Sequence, residues 1–579
     1  MNRRLIAAVA LGASASALAL IASTLPASGR ATQVAPAIPP TTFTVVAADG
    51  VDAAVAKQAI NAAGGSVVSS NPNAGSFQVV TTSADFARKV ADARPLVGAV
   101  PRRAIGNAPV RRALDPIERE NLVAGPTGSG AEKAPARRAE RAKGLDPLDD
   151  KLWGLKMVRS DLARQKQAGK RKVTVGILDT GLDASNPDLA KNFDATLSRN
   201  FAPDIEAIDG PCEARGCVDP VGTDDGGHGT HVAGSVAAAA DGFGLSGVAP
   251  NVTLVQLKGG QDSGFFFLDP VINSITYAAD AGIDVLNMSF YVDPWAFNCP
   301  NNPADSPEFQ AQQRATIKAV NRALKYAHFK GVTLVGALGN SHLDLAKPGT
   351  DTSSPNYPAA SAYPRVIDNA TCVDLPVEGA HVIGVSALGP SSRKADFSNY
   401  GTEQISVSAP GGYYRDGFGT PTFQTPENMI LSTYPKKALQ EEGAVDADGN
   451  VLPAKADEVF KQCTTSGQCG YYTYLQGTSM ASPYAAGVAA LIVSQHGTKD
   501  QNAARGLTMD PKLVEQHLYR TAAGRPCPTP RTVSYKNEGR DETWDATCEG
   551  AQSFNGFYGH GIVDAYAAVT KKLAPTARP

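Results

Sequence analysis

The sequence predicts an α/β protein built on a mostly parallel sheet, preceded by a small α+β unit. Two observations carry this. From Leu152 onward, short continuous apolar runs alternate with helical stretches, the pattern of strands covered on both faces. Between Phe43 and Val100 the order is β-α-β-β-α-β, a split β-α-β arrangement.

The elements follow in chain order. Arg3 and Arg4 precede an apolar run, Leu5 to Ala22, and small residues follow around Ala27 to Ala31. That is the layout of a secretory signal peptide, and residues 1–31 are expected to be one. No second long apolar run occurs, so a released extracellular protein without a membrane anchor is expected. Phe43–Ala47 is β-prone. Val51–Ala63 repeats apolar residues at helical spacing and stops at Gly64 and Gly65. Strands are expected at Ser66–Ser69 and Phe77–Thr81, a helix capped by Ser83 running to Ala93, and a last strand at Leu96–Val100. This is the ferredoxin-like order, assigned to residues 32–106. Residues 107–150 are rich in Arg, Ala, Pro, Gly and Glu, with pairs at Arg111–Arg112 and Arg137–Arg138. They read as an exposed linker with a processing site. Residues 151–579 form the main domain, with strands expected at Val173–Leu178, Val252–Leu257, Ile283–Met288, Val332–Val335, His381–Val385 and Ile405–Val407.

Bulk composition narrows the function. Lys plus Arg is 54 against 56 for Asp plus Glu in 579 residues. That balance gives no reason to expect a nucleic-acid partner. All eight cysteines lie beyond Gly210, which in a secreted chain suggests disulfides. Cys212 with Cys217, Cys463 with Cys469, Cys527 with Cys548 and Cys299 with Cys372 would use all eight. Eight cysteines allow 105 pairings, so sequence leaves the connectivity open. The absence of a C-x-x-C pair argues against zinc.

Three segments carry chemistry. Asp179-Thr180-Gly181 puts an acid at the carboxyl end of a buried strand, where sites of parallel sheets form. His228 to Gly234 (His-Gly-Thr-His-Val-Ala-Gly) crowds two histidines among small residues. Gly477 to Pro483 (Gly-Thr-Ser-Met-Ala-Ser-Pro) places Ser479 at a helix start, where N–H groups and the helix dipole favour developing negative charge. A serine hydroxyl needs a base to become a nucleophile, and an imidazole base needs a carboxylate to fix its tautomer. The order Asp179, His228, Ser479 supplies all three.

Together these segments, from Trp153 to Tyr566, resemble the signature motifs of subtilisin-like serine proteases, peptidase family S8. The resemblance implies a subtilisin-like three-layer fold and a secreted serine endopeptidase. It casts Asp179 as the group that orients the base, His228 as general base and acid, Ser479 as nucleophile and Asn340 as oxyanion donor, with His231 structural. It implies that Ser289, Phe290 and Tyr291, on an edge strand from Asn287, and Ala337, Leu338 and Gly339 bind the substrate peptide, with Lys258–Ser263 as the opposite strand. Tyr291 and Val292 replace two glycines usual in the family, and an apolar or aromatic preference is expected. Asp188, nine residues after Asp179, and Asp241, which lies in the loop Ala239–Leu245, are candidate calcium ligands; catalysis needs no cofactor. Residues 32–106 resemble an inhibitory, chaperone-like propeptide, making the protein a monomeric zymogen whose partners are peptide or protein substrates and its own propeptide. Long insertions at Trp295–Tyr326 and Tyr413–Tyr472 keep a narrow processing peptidase in play, and a catalytically silent scaffold is the other alternative.

Overall fold

A computed structural model describes residues 40–102, 117–120, 146–358, 360–501 and 505–574. The expected signal peptide and most of the expected linker lie outside the described residues.

The N-terminal unit has the order read from sequence. Strands β1 (Thr41–Ala47), β2 (Ser66–Asn71), β3 (Ser76–Thr81) and β4 (Leu96–Pro101) form an antiparallel sheet in the order β2-β3-β1-β4. Helices Ala53–Ala62 and Phe86–Asp92 fill the two crossovers. The first is capped by Asp52, whose side chain accepts the Ala54 N–H. The second starts later than its sequence suggests, because the Ser83 hydroxyl is bonded to the Asp85 carboxylate instead of capping the helix. Phe43, Ile60, Phe77 and Phe86 close a separate small core.

The main domain is built on seven parallel strands: β5 (Thr174–Asp179), β6 (Arg199–Asn200), β7 (Thr253–Lys258), β8 (Val285–Met288), β9 (Thr333–Ala337), and two further strands, Val382–Leu388 and Ile405–Pro410. From one edge the order is Ile405–Pro410, Val382–Leu388, β9, β8, β5, β7, β6. Every residue of β5 is buried, which is why its run is apolar without alternation. The helices His228–Ala237 and Thr478–His496 join the core on one face with β5, and Leu268–Asp280 and Pro307–Phe329 pack on the other. The second of these helix pairs also receives Val46, Ala74 and Val100 of the N-terminal unit into its cluster. Gly98 of β4 lies so close to that face that an added Cβ would stand 2.3 Å from the Ala311 carbonyl oxygen.

The four disulfides join Cys212 to Cys217, Cys299 to Cys372, Cys463 to Cys469 and Cys527 to Cys548. Among the described residues no helix is long and apolar enough to cross a membrane.

Candidate active site

The carboxyl ends of β5, β8 and β9 open on one cleft of about 440 Å³, lined by His228, Asn340, Thr478 and Ser479 among others. Asp179 ends β5 and is fully buried. Its Oδ1 accepts the Thr180 N–H at 2.8 Å and lies 2.7 Å from His228 Nδ1. His228 opens the helix His228–Ala237. Glycine is required on both sides of it. Gly227 has φ 86°, and an added Cβ on Gly229 would meet the Gly181 carbonyl at 2.1 Å.

Ser479 is the second residue of the 19-residue helix Thr478–His496, so its hydroxyl sits at the positive end of the helix dipole. Gly477 has φ 151°, and a Cβ there would approach Asn340 Nδ2 and Glu118 Oε1. The Ser479 hydroxyl donates to the Ser289 carbonyl at 3.2 Å. Asn340 Oδ1 accepts both the N–H and the hydroxyl of Thr478 at 2.9 Å. With its oxygen engaged in this way, the Asn340 amide leaves its N–H₂ beside Gly477.

A feature with no sequence signal stands over His228. Residues 117–120 are seated at the site, and Glu118 Oε1 is 3.6 Å from His228 Nε2. Arg119 pairs with Glu442 at 2.8 Å, and Glu120 with Arg415 and Arg540 at 2.6 and 3.0 Å. Gln476 Nε2 donates to the Ile117 carbonyl. Burial lowers the His228 pKa, but Asp179 and Glu118 outweigh it and hold it well above 6.5. His231, three residues on, takes neither role. Its Nε2 faces the Ile430 and Thr473 carbonyls, and burial drives its pKa to about 3.

Most of the expected binding residues line the cleft: Ser289, Phe290, Tyr291, Ala337 and Gly339. Phe290 stacks on Phe266 with centroids 4.0 Å apart, and the Tyr291 hydroxyl accepts from Asn356. The Ser289 hydroxyl turns to the Ser479 carbonyl and the Ser482 hydroxyl, so it braces the helix start. Leu338 departs from expectation. Its side chain is fully buried in a cluster with Phe297, Cys299 and Cys372, one residue past the end of β9. Asn287 and Met288 lie in β8, an interior strand of the sheet and not an edge. Strand β7 ends at Lys258; Gly259 and Gly260 then turn both N–H groups onto the Asp179 carbonyl, so Lys258–Ser263 is not a free strand.

The chain is similar to known proteins in sequence and in fold. The subtilase family profile matches residues 170–561. The chain belongs to the subtilase family. Among curated relatives, subtilisin DY of Bacillus licheniformis is 28% identical over 353 residues, covering 61% of this chain and 88% of that protein. Fervidolysin of Fervidobacterium pennivorans is 29% identical, covering 60% of this chain and 38% of its own length. Two solved structures share the fold: the epidermin leader peptide processing serine protease of Staphylococcus aureus (TM-score 0.56, 19% identity, 92% of this chain and all of that one) and fervidolysin (TM-score 0.55, 22% identity, 93% and 62%). This subtilase is a serine endopeptidase.

Subtilases need no cofactor for catalysis, and many carry structural calcium. Here each of the two candidate ligands has a polar neighbour. Asp188 Oδ2 accepts the Leu245 N–H at 2.9 Å and lies by the Tyr472 hydroxyl, and burial raises its carboxyl to about 8. Asp241 is 3.5 Å from the Lys191 ammonium. Calcium takes oxygen acceptors, and Asp188 Oδ1, buried with no hydrogen-bond partner among the described residues, is one, with the Asp146 and Asp241 carboxylates acting on it. Elsewhere, Asp204, Glu213, Asp219 and Asp262 bring carboxylate oxygens within 4.8 Å of one another, with the buried Lys258 ammonium among them as counter-charge.

Proposed function

We propose that this subtilase is a secreted endopeptidase made as a zymogen, with Asp179, His228 and Ser479 as its catalytic triad and Asn340 as oxyanion donor. The observation that carries the reading is the 2.7 Å contact of Asp179 with His228 in the cleft where Ser479 opens a helix. The Asp179 carboxylate holds the proton on Nδ1, leaving Nε2 to act as base. Rotation of the Ser479 side chain away from the Ser289 carbonyl brings its hydroxyl to that nitrogen. Oγ attacks the scissile carbonyl as its proton passes to Nε2. The oxyanion is met by Asn340 Nδ2 and the Ser479 N–H. The imidazolium then gives the proton to the departing amine, and the acyl-enzyme is hydrolysed by a water that His228 deprotonates. In subtilisin itself one such side-chain donor is worth about 2.7–4 kcal/mol; the Thr478 bonds that hold the Asn340 oxygen aim it for the same task.

Residues 32–106 act as propeptide, 107–150 as the segment cut on maturation, and 117–120 as a plug over His228. The leader-like residues 1–31 and the four disulfides support export to an oxidising compartment. The working form is a monomer acting on peptide and protein substrates. Asp188 and Asp241 would hold a structural calcium, which the chemistry itself does not need.

Ser479→Ala tests the reading. Casein hydrolysis is expected to fall by about 10⁶-fold, the size known for the equivalent change in subtilisin, and labelling by a fluorophosphonate is expected to vanish. Residual hydrolysis within tenfold of wild type would sink it.

A further inference from the structure

The cleft holds one acid whose place in the fold is otherwise unexplained. Asp374 lines it beyond the wall Ala337–Gly339 and is only 8% exposed. Oδ1 is buried with no hydrogen-bond partner among the described residues. Oδ2 lies on the side of Gly339: a Cβ added there would come within 3.7 Å of it. Gly339 in turn donates its N–H to the Thr478 hydroxyl, one residue before Ser479. Asp374 therefore sits one backbone wall away from the nucleophile.

Its neighbours are satisfied without it. Asp351 is bonded to Arg365 at 3.1 Å and to Ser353. Asn399 gives its N–H₂ to the Leu338 carbonyl and its oxygen to the Ser341 and Leu343 N–H groups. Glu378 accepts the Asp374 backbone N–H and leaves the Asp374 carboxyl alone. The charged groups that act on Asp374 are Glu378 and Asp351, both acidic, and these together with burial push its pKa well above 3.8. A buried carboxyl with neither donor nor cation is costly. The surrounding structure also holds it firmly. Cys372, two residues away, is bonded to Cys299, and Leu375 is fully buried against the helices of the opposite layer. A rigid, unpartnered acid at the end of a protease cleft awaits a cation, and a carboxylate at the base of the primary pocket sets a preference for basic side chains.

We propose that Asp374 is the specificity-determining residue of this subtilase, and that the enzyme cleaves polypeptides after arginine or lysine. The inference rests on the reading of the Ser479 cleft as the catalytic one, and it replaces the apolar preference expected from the resemblance. An entering guanidinium or ammonium supplies both the donors and the charge that Asp374 lacks. Phe290, Tyr291 and Phe297 along the same cleft cover the aliphatic stem.

The test uses the matured enzyme and four fluorogenic peptides that differ only in Arg, Lys, Phe or Leu on the acyl side of the cleaved bond. Arg and Lys peptides are expected to exceed the other two in kcat/KM by at least about 100-fold. Asp374→Ala is expected to remove that advantage, lowering kcat/KM for the Arg and Lys peptides until the four peptides differ by less than about tenfold; a lost buried charge partner is worth this much. If the variant fails to fold, wild-type inhibition decides: a peptide aldehyde ending in Arg should bind at least about 100-fold tighter than one ending in Phe. An enzyme labelled at Ser479 that prefers Phe or Leu, or an unchanged ratio in Asp374→Ala, overturns the inference alone. A chain that cleaves none of the four and takes no fluorophosphonate overturns the catalytic reading and this one with it.

Discussion

At the scale of single residues, the site is a contest over one imidazole. The proposed mechanism needs His228 neutral at Nε2, yet in the intact chain that nitrogen faces Glu118 at 3.6 Å while Nδ1 faces Asp179. Two carboxylates favour the imidazolium, which cannot accept the Ser479 proton. Removing one lowers the His228 pKa, so the neutral base exists at lower pH. Glu118→Gln in the intact chain is therefore expected to shift the acid limb of fluorophosphonate labelling at Ser479 downward by about one pH unit, given that a close charge pair moves a pKa by 1–3. Labelling rates from pH 5 to 9 check this. An unmoved midpoint would remove Glu118 from any role in silencing the base.

At the scale of elements, the strands were legible because burial on both faces writes itself as an apolar run. The six runs expected in the main domain all became strands of the parallel sheet. The motif residues were legible for a similar reason, since the small residues beside Asp179, His228 and Ser479 are demanded by close backbone approaches. The burial of the Leu338 side chain was not legible, because its cluster is filled by Phe297, Cys299 and Cys372 from distant parts of the chain. Asp374 and Glu118 had no local signal. The first reaches the cleft through a segment tied back by Cys299, and the second arrives from a linker some hundred residues before its partner. The start of β8 carries a further testable feature. Asp284 accepts the Thr174 N–H and hydroxyl at 2.8 and 3.0 Å, its Oδ1 is buried without a hydrogen-bond partner among the described residues, and burial raises its pKa to about 7. An acid whose folded pKa exceeds its unfolded value of about 3.9 stabilises the fold fully below pH 4, and this contribution is lost as pH rises through 7. The loss amounts to as much as about 4 kcal/mol. In a Ser479→Ala background, which prevents self-digestion, Tm should fall between pH 5 and 8, and Asp284→Asn should flatten that fall. Equal slopes with and without the substitution would contradict it.

At the scale of the whole molecule, the N-terminal unit is not a bystander held only by the linker. Val46, Ala74 and Val100 complete the apolar cluster of the helices Leu268–Asp280 and Pro307–Phe329. Around them, Asn71 donates to Asn273 and Thr276 at 2.8 Å, Gln78 donates to Asp269, and Asp49 pairs with Lys318 and Arg322. The ion pairs involve a largely exposed Asp49 and contribute little, so affinity should depend on apolar fit. Gly98 is where that fit is tightest. A side chain there meets the Ala311 backbone at 2.3 Å, and a helix backbone cannot yield as a flexible side chain can. Overpacking costs of this kind run to about 1–3 kcal/mol, or roughly 5- to 150-fold in affinity. The experiment takes the full Ser479→Ala chain with a cleavable sequence in place of residues 121–145, cuts it, and asks by gel filtration whether the N-terminal piece stays with the main domain. Co-elution is expected for Gly98, and its loss on dilution for Gly98→Val, whose own small core around Phe43 and Phe86 lies away from the contact and should leave the unit folded. If Gly98→Val co-elutes as tightly as the parent, the unit is held by its polar rim or by residues 117–120, and inhibition by the N-terminal unit would have to act through the plug over His228 alone.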